Sequence, residues 1–292
     1  MAKLLSGKPV AQALGERLQA RSAALRAAGI APTLAILRIG AREDDLAYER
    51  GLEKRAARLG VEVRRKLLPA DCGAEAVRAA IVALNRDETV HGVLVFRPFP
   101  AHLRPFEAEL CALLAPEKDV DGMTPASMAG LYSGSGTGFA PCTAEACMEL
   151  LDFYHYDCAG KRAVVIGRSL VIGKPVALLL LARNATVTVC HTRTRDLAAL
   201  SRQADLIVTA AGCLGSLTAA HCSAGQTVLD VSVNWNERTQ SLCGDAEFST
   251  VSETVGAITP VPGGVGAVTS TVLMAHVLRA AENTNPGSTT AS

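Results

Sequence analysis

The chain has 292 residues, 49% of them hydrophobic, with 29 Lys and Arg against 28 Asp and Glu. That length suits two domains of ordinary size. Nearly cancelled charge without a basic run argues against nucleic acid as a partner, and no apolar stretch reaches the ~18 residues of a membrane span, which leaves a small molecule as the expected partner.

The opening "MAKLLSGKPVAQ" has too short an apolar run for a secretory signal, so a cytoplasmic protein is expected. Nine cysteines, at 72, 111, 142, 147, 158, 190, 213, 222 and 243, form no CxxC pair. They fit neither a disulfide framework nor a zinc site and read as reduced, with no metal expected. Pro9 to Ala28 carries Val10, Leu14 and Leu18 at helical spacing and stops at Gly29. "PTLAILRIG" reads as a buried strand, Tyr48 to Leu59 as a helix, "VEVRRKLLP" as a strand, Ala74 to Asn85 as a helix, and "VHGVLVFRPFP" as a strand closed by prolines. Such alternation predicts a parallel sheet with crossover connections.

"GSGTG", Gly134 to Gly138, marks a boundary region. A second alternation follows: "KRAVVIG" as a strand, Gly173 to Arg183 as a helix, "ATVTVCH" as a strand, Thr194 to Gln203 as a helix, then strands in "ADLIVTAA" and "QTVLDVSV". That order describes a doubly wound nucleotide-binding sheet, and hence an α/β protein. The last helix, Thr269 to Glu282, is expected to pack back on the first domain, and "NTNPGSTTAS" reads as a disordered tail.

In "VVIGRSLVIGKP", Val164 to Pro175, a buried strand runs into a turn with Gly167 and Gly173 and then a helix. Glycines let backbone approach a phosphate, and free N–H groups at a helix start favour an anion. Five residues separate the glycines, and Pro175 stands where a Walker loop needs Ser or Thr; the spacing is not GxGxxG either. A dinucleotide is the favoured ligand, with a ligand-free glycine turn as the alternative. NAD enzymes place an acid after the next strand to grip the ribose hydroxyls. Here "CHTRTRD" puts His191, Thr192, Arg193 and Arg195 before the first acid. With Arg168, these suit a 2'-phosphate, so NADP is favoured over NAD. The plainer alternatives are a solvated helix start for the arginines and a satisfied structural histidine for His191.

The chain resembles the bifunctional methylenetetrahydrofolate dehydrogenase/cyclohydrolase family from about Pro32 to Ala280. The family's signatures stand here as "KDVDG" (Lys118 to Gly122), "FAPCT" (Phe139 to Thr143), "GRSLVIGKP", "NATVTVCHTRT" (Asn184 to Thr194), "DVSVN" (Asp230 to Asn234), "GDA" and "TPVPGGVGAVT" (Thr259 to Thr269). The resemblance implies a folate domain over 1–138 with the helix 269–282 packed on it, a Rossmann-like NADP domain over 139–268, a cleft between them, a homodimer, and a tail over 283–292. It implies that Gly167, Arg168, Ser169, Thr192 and Val233 hold NADP. Asp121 would receive the pterin's amino and ring N–H groups, Tyr48 would stack on or hydrogen-bond the folate, and Pro262, Gly263 and Gly264 would pass close to the substrate. Tyr48 and Asp121 are the catalytic candidates.

The family pattern breaks at its catalytic lysine. The family reads Ser-x-x-Tyr-x-x-x-Lys, and counting from Gly40 or back from Gly60 places the lysine at Leu52 and the serine at Asp45. At ~100° per residue Leu52 lies about 40° from Tyr48 on one helix face, whereas Lys54 is roughly 240° round. The tyrosine and lysine of "AYERGLEK" are therefore a false pair. The family's glutamine, which orients that lysine, is Phe96; Arg97 is adjacent and is expected to face the other side of the strand. The expected activity is NADP-dependent oxidation of methylenetetrahydrofolate with cyclohydrolase activity weak or lost. One alternative is a fully bifunctional enzyme in which Arg55 or a water replaces the lysine. Another is a noncatalytic folate- or nucleotide-binding homologue, to which Ala144, Ala146, Ser232, Ala267 and Val268 give weight. A different substrate in the greasier pocket is a third.

Overall fold

A computed structural model describes residues 1–284, which divide into two compact units. The chain opens with a two-residue strand, β1 (Lys3–Leu4), and a long helix, α1 (Gly7–Ala27).

The first unit, 14–140 with the segment from Ser270, is built on three parallel strands. Central β2 (Thr33–Ile39) is buried along its whole length. It is followed by α2 (Glu43–Arg58), β3 (Glu62–Leu68), α3 (Ala74–Arg86) and β4 (Gly92–Val95), with β3 and β4 flanking β2. Ala35, Leu37 and Ile39 share a core cluster with Val77, Ile81 and Leu84 of α3. Arg38, pointing the other way, is only 5% exposed and pairs at 2.8 Å with Glu49 of α2, itself 5% exposed. Arg65 of β3 reaches the same carboxylate at 2.8 Å. A cation in an otherwise apolar strand requires such a partner, because a lone buried charge is strongly unfavourable.

The helix expected from Tyr48 begins a full turn earlier, at Glu43, since Glu43, Asp44 and Asp45 fill the first turn and Arg55 and Arg58 the last, complementing the helix dipole. The strand expected to run into the prolines ends at Val95. Beyond it lie α4 (Glu107–Cys111) and α5 (Pro125–Ser133). Thr124 caps α5 by accepting from the Ser127 N–H, Pro125 opens it, and Gly134 closes it at φ 68°.

The second unit, 1–13 with 141–269, begins with α6 (Cys142–Phe153) and winds through β5 (Arg162–Ile166), α7 (Gly173–Ala182), β6 (Thr186–Cys190), α8 (Leu197–Arg202), β7 (Leu206–Thr209) and β8 (Thr227–Asp230). After a small hairpin, β9 (Asn234–Asn236) with β10 (Ser241–Cys243), come α9 (Phe248–Thr254) and β11 (Ala257–Ile258). Its six strands, ordered β1-β11-β8-β7-β5-β6, are all parallel. From β5 the chain steps to β6 on one side and then crosses to β7 on the other, so the winding reverses between β5 and β7. This is the doubly wound sheet that the alternation predicted.

Residues 1–13, expected with the first domain, group with the second unit because Lys3 and Leu4 pair with Ala257 and Ile258. The final helix, α10 (Thr269–Asn283), lies almost wholly in the first unit, where His276 Nδ1 meets the Val120 carbonyl at 2.7 Å. The tail read as disordered lies, from residue 285, outside the described residues. Among the described residues no helix is long and apolar enough to cross a membrane. All nine cysteines are free and six are buried, with the Cys147 thiol pushed up to about 12 by burial.

Candidate active site

In the second unit the residues singled out from sequence follow the carboxyl ends of parallel strands: Gly167, Arg168 and Ser169 after β5, Thr192 after β6 and Val233 after β8. They therefore gather along one edge of the sheet, where ligands of such folds bind at the winding reversal. Arg168, Ser169, Thr192 and Val233 are all exposed there. Gly167, at φ 128°, abuts β7: a Cβ on it would lie 2.3 Å from the Ala210 carbonyl oxygen. A Cβ on Gly173 would lie 2.3 Å from the Gly167 oxygen, so the turn is a cradle that side chains would fill.

The free N–H groups expected at the start of α7 are not free. Ile172 and Gly173 donate to the Ser169 hydroxyl at 3.1 and 3.4 Å, and Lys174 donates to the Ser169 carbonyl at 3.0 Å. The serine closes the turn, and Arg168, Arg193 and Arg195 stand exposed on the same edge. His191 Nδ1 accepts from the Arg193 N–H at 3.1 Å, the satisfied role weighed for it. The helix expected from Thr194 starts at Leu197, behind Asp196, whose carboxylate caps it through the Ala199 N–H.

Asp245 of the "GDA" signature organises this edge. It is fully buried and accepts from Thr209 Oγ1, Ser232 Oγ, Asn234 Nδ2 and the N–H groups of Ala211, Gly212 and Cys213. The loops after β7 and β8 are thereby tied to one carboxylate. Ser232, a departure from the family pattern, is absorbed by this network, since its hydroxyl also accepts from Gly212 at 3.1 Å.

Asp230 lies behind Asp245, 3% exposed, and accepts from the Asp245 and Ala246 N–H groups at 3.0 and 2.8 Å. Burial, opposed by those hydrogen bonds and reinforced by the Asp245 charge, raises its carboxyl to about 6. The folded state thus holds this proton more tightly than the unfolded chain. The stabilisation is complete below about pH 4, and on the order of 2–3 kcal/mol of it is lost as pH rises to about 6. Asp230→Asn lowers stability at every pH, because an amide turns one donor toward a backbone N–H. Its deficit against the parent protein is expected to shrink between pH 4 and 6; a deficit constant across that range in chemical denaturation sinks this assignment.

The stretch around Pro262, Gly263 and Gly264 also belongs to the second unit. Pro262 and Gly263 are exposed, and the Gly263 carbonyl accepts from the Gly7 N–H at 2.8 Å. Gly264 is buried; its oxygen would lie 2.0 Å from a Cβ on Gly7.

The first unit holds the other candidates. Tyr48 is 49% exposed, and its ring meets that of Phe96 at 5.8 Å between centroids, tilted by 53°. Leu52, one turn on, is 1% exposed, whereas Lys54 is exposed. Helical geometry and the structure agree that Lys54 is on another face. In "KDVDG" the first two residues are structural: Lys118 donates to three carbonyls, of Leu84, Asn85 and Asp87, and fully buried Asp119 accepts from Met123, Thr124 and Ser127. Asp121, like Lys118, is partly exposed.

Arg97 was expected to face away from this site, and it does not. Its Nη2 lies 3.7 Å from Asp121 Oδ2. β4 ends at Val95, so strand alternation no longer governs residue 97. Arg55 donates to Thr271 Oγ1 at 2.7 Å; burial lowers its guanidinium pKa, with Arg58 adding to the effect and Tyr48 opposing it. A cavity of about 970 Å³ opens at the opposite, amino-terminal end of the three strands, beside Thr33 and His91. None of the residues proposed from sequence lines it.

Two α/β units, one a doubly wound sheet with a glycine cradle at its reversal and the other presenting paired aromatics and a carboxylate, define a dinucleotide-binding two-domain protein. The catalytic-domain model of the tetrahydrofolate dehydrogenase/cyclohydrolase family matches residues 5–121, and that family's NAD(P)-binding-domain model matches residues 141–285. The chain belongs to this family. It is 44% identical to the bifunctional protein FolD of Carboxydothermus hydrogenoformans, over 98% of this chain and 99% of the relative. Among solved structures, the bifunctional enzyme FolD of Campylobacter jejuni superposes with a TM-score of 0.92 at 36% identity, over 98% of this chain and 100% of that one. The FolD of Trypanosoma brucei, complexed with NADP cofactor and an inhibitor, gives 0.87 at 34% identity, over 97% and 98%.

Proposed function

We propose that this chain oxidises methylenetetrahydrofolate to methenyltetrahydrofolate with NADP and hydrolyses the methenyl product slowly or not at all. The observation that carries the second half is hydrocarbon around Tyr48: Leu52, 1% exposed, on its helix face, and the Phe96 ring against its own. The family resemblance puts a lysine and a glutamine at those two positions.

The two reactions make unequal demands. When bound, NADP supplies the hydride acceptor. The folate nitrogens flanking the one-carbon bridge delocalise the cation that remains, so the protein's task is alignment. Asp121 accepts the pterin's amino and ring N–H groups, and Tyr48 lies along the substrate. Hydrolysis must add water and move protons through a tetrahedral intermediate, work that a positioned acid or base speeds by ~10²–10⁴-fold. Neither Leu52 nor Phe96 has a proton to give.

NADP is supported by exposed Arg168, Arg193 and Arg195 on the edge that carries the glycine cradle, and by the NADP complex of the Trypanosoma brucei relative. Hydrogen bonds to a charged group contribute about 1.5–3 kcal/mol, so kcat/KM for NADP should exceed that for NAD by about ten- to a hundredfold. Arg193→Ala should narrow the ratio. Equal rates with the two cofactors, read at the nicotinamide absorbance, overturn the preference. We read the assembly as a homodimer from the family resemblance, which light scattering tests.

A second reading, full bifunctionality, is favoured by the relatives' names and by Arg55, a partly buried cation on the same helix as Tyr48. A permanent cation makes a poor acid or base, which places this reading second.

A further inference from the structure

We propose that Arg97 is a specificity residue that reads the 4-oxo group of the pterin while Asp121 reads the neighbouring donors. The inference rests on the folate reading above. Arg97 and Asp121 approach to 3.7 Å, and their side chains are 31% and 32% exposed, so both heads can still meet a ligand. Phe96, next to Arg97 in sequence, joins Tyr48 in the aromatic pair.

A pterin carries, in order along one edge, an amino donor, a ring N–H donor and a carbonyl acceptor. A carboxylate offers two acceptors and a guanidinium a fixed fork of donors. Placed side by side, Asp121 and Arg97 present acceptor, acceptor and donor, the complement of that edge. A 4-amino pteridine sets a donor where the 4-oxo compound has an acceptor and so meets Arg97 donor to donor. Sites built to hydrogen-bond a group reject analogues that lack it, because their own polar atoms are then left unpaired.

The test compares folic acid with aminopterin, its 4-amino analogue, by calorimetry on the full chain and on Arg97→Leu and Arg97→Lys. The parent protein should favour folic acid. Arg97→Leu should cut the affinity ratio by about tenfold, chiefly by weakening folic acid, and Arg97→Lys should recover part of it. A fall in both affinities by the same factor makes Arg97 a mere support for Asp121 and overturns the proposal, as does an unchanged ratio. If the parent protein binds neither compound, the folate reading itself fails and this inference goes with it.

Discussion

Purified protein is expected to reduce NADP with methylenetetrahydrofolate while hydrolysing methenyltetrahydrofolate at least about a hundredfold more slowly than a lysine-bearing relative, the lower end of what general acid–base catalysis supplies. Leu52→Lys with Phe96→Gln is expected to restore hydrolysis and leave oxidation within a few-fold. The two changes belong together. Leu52 is 1% exposed, so an ammonium there without a partner is a buried, uncompensated charge and lowers the melting temperature. Gln in place of Phe96, whose ring now lies 5.8 Å from that of Tyr48, supplies an acceptor for that ammonium. The double variant should therefore be more stable than Leu52→Lys alone, a coupling that a double-mutant cycle measures. Methenyl hydrolysis by the unaltered chain at an ordinary relative's rate refutes the single-step reading and promotes Arg55.

The legible parts of the molecule were those written in local periodicity. β2 and β5 could be read as short unbroken apolar runs, α3 from apolar residues at helical spacing, and the turn into α7 from the glycines that mark the breaks. β1 and β11 could not, being two residues long and formed only by pairing across the sequence. At the site, the failure of Lys54 followed from helical angle alone, whereas the burial of Leu52 beside the half-exposed Tyr48 did not. Arg97 was misplaced because alternation was extended past Val95, where the strand had ended and the following proline should have been the warning. Glu49 was missed although a signal existed. Arg38 interrupts an apolar strand, and an arginine there demands a carboxylate within reach, on an adjoining helix or strand. The role of Ser169 as a turn closer was hidden for another reason: composition shows a hydroxyl near a helix start but not which donors it will take.

Gly173→Ala is expected to weaken NADP binding by about ten- to a hundredfold while leaving folic acid binding to the first unit unchanged, the range that follows from ~1–3 kcal/mol of overpacking. The new Cβ would stand 2.3 Å from the Gly167 oxygen, 2.6 Å from its carbonyl carbon and 2.8 Å from the Arg168 nitrogen. All three are backbone, so no side chain can swing aside to relieve them. Gly167 cannot retreat either, for its own Cα faces β7, where a Cβ would lie 2.3 Å from the Ala210 oxygen. The strain must then be released by moving Arg168 and Ser169 outward, opening the turn that the Ile172 and Gly173 N–H groups close on Ser169. Gly51→Ala provides the control. A Cβ there meets nothing within 4 Å, and alanine in mid-helix should add about 0.5–1 kcal/mol of stability without touching the cofactor. Parental NADP affinity in Gly173→Ala would mean that the cofactor does not lie against this turn, and the glycine pair would then serve only the packing of α7 on β5 and β7.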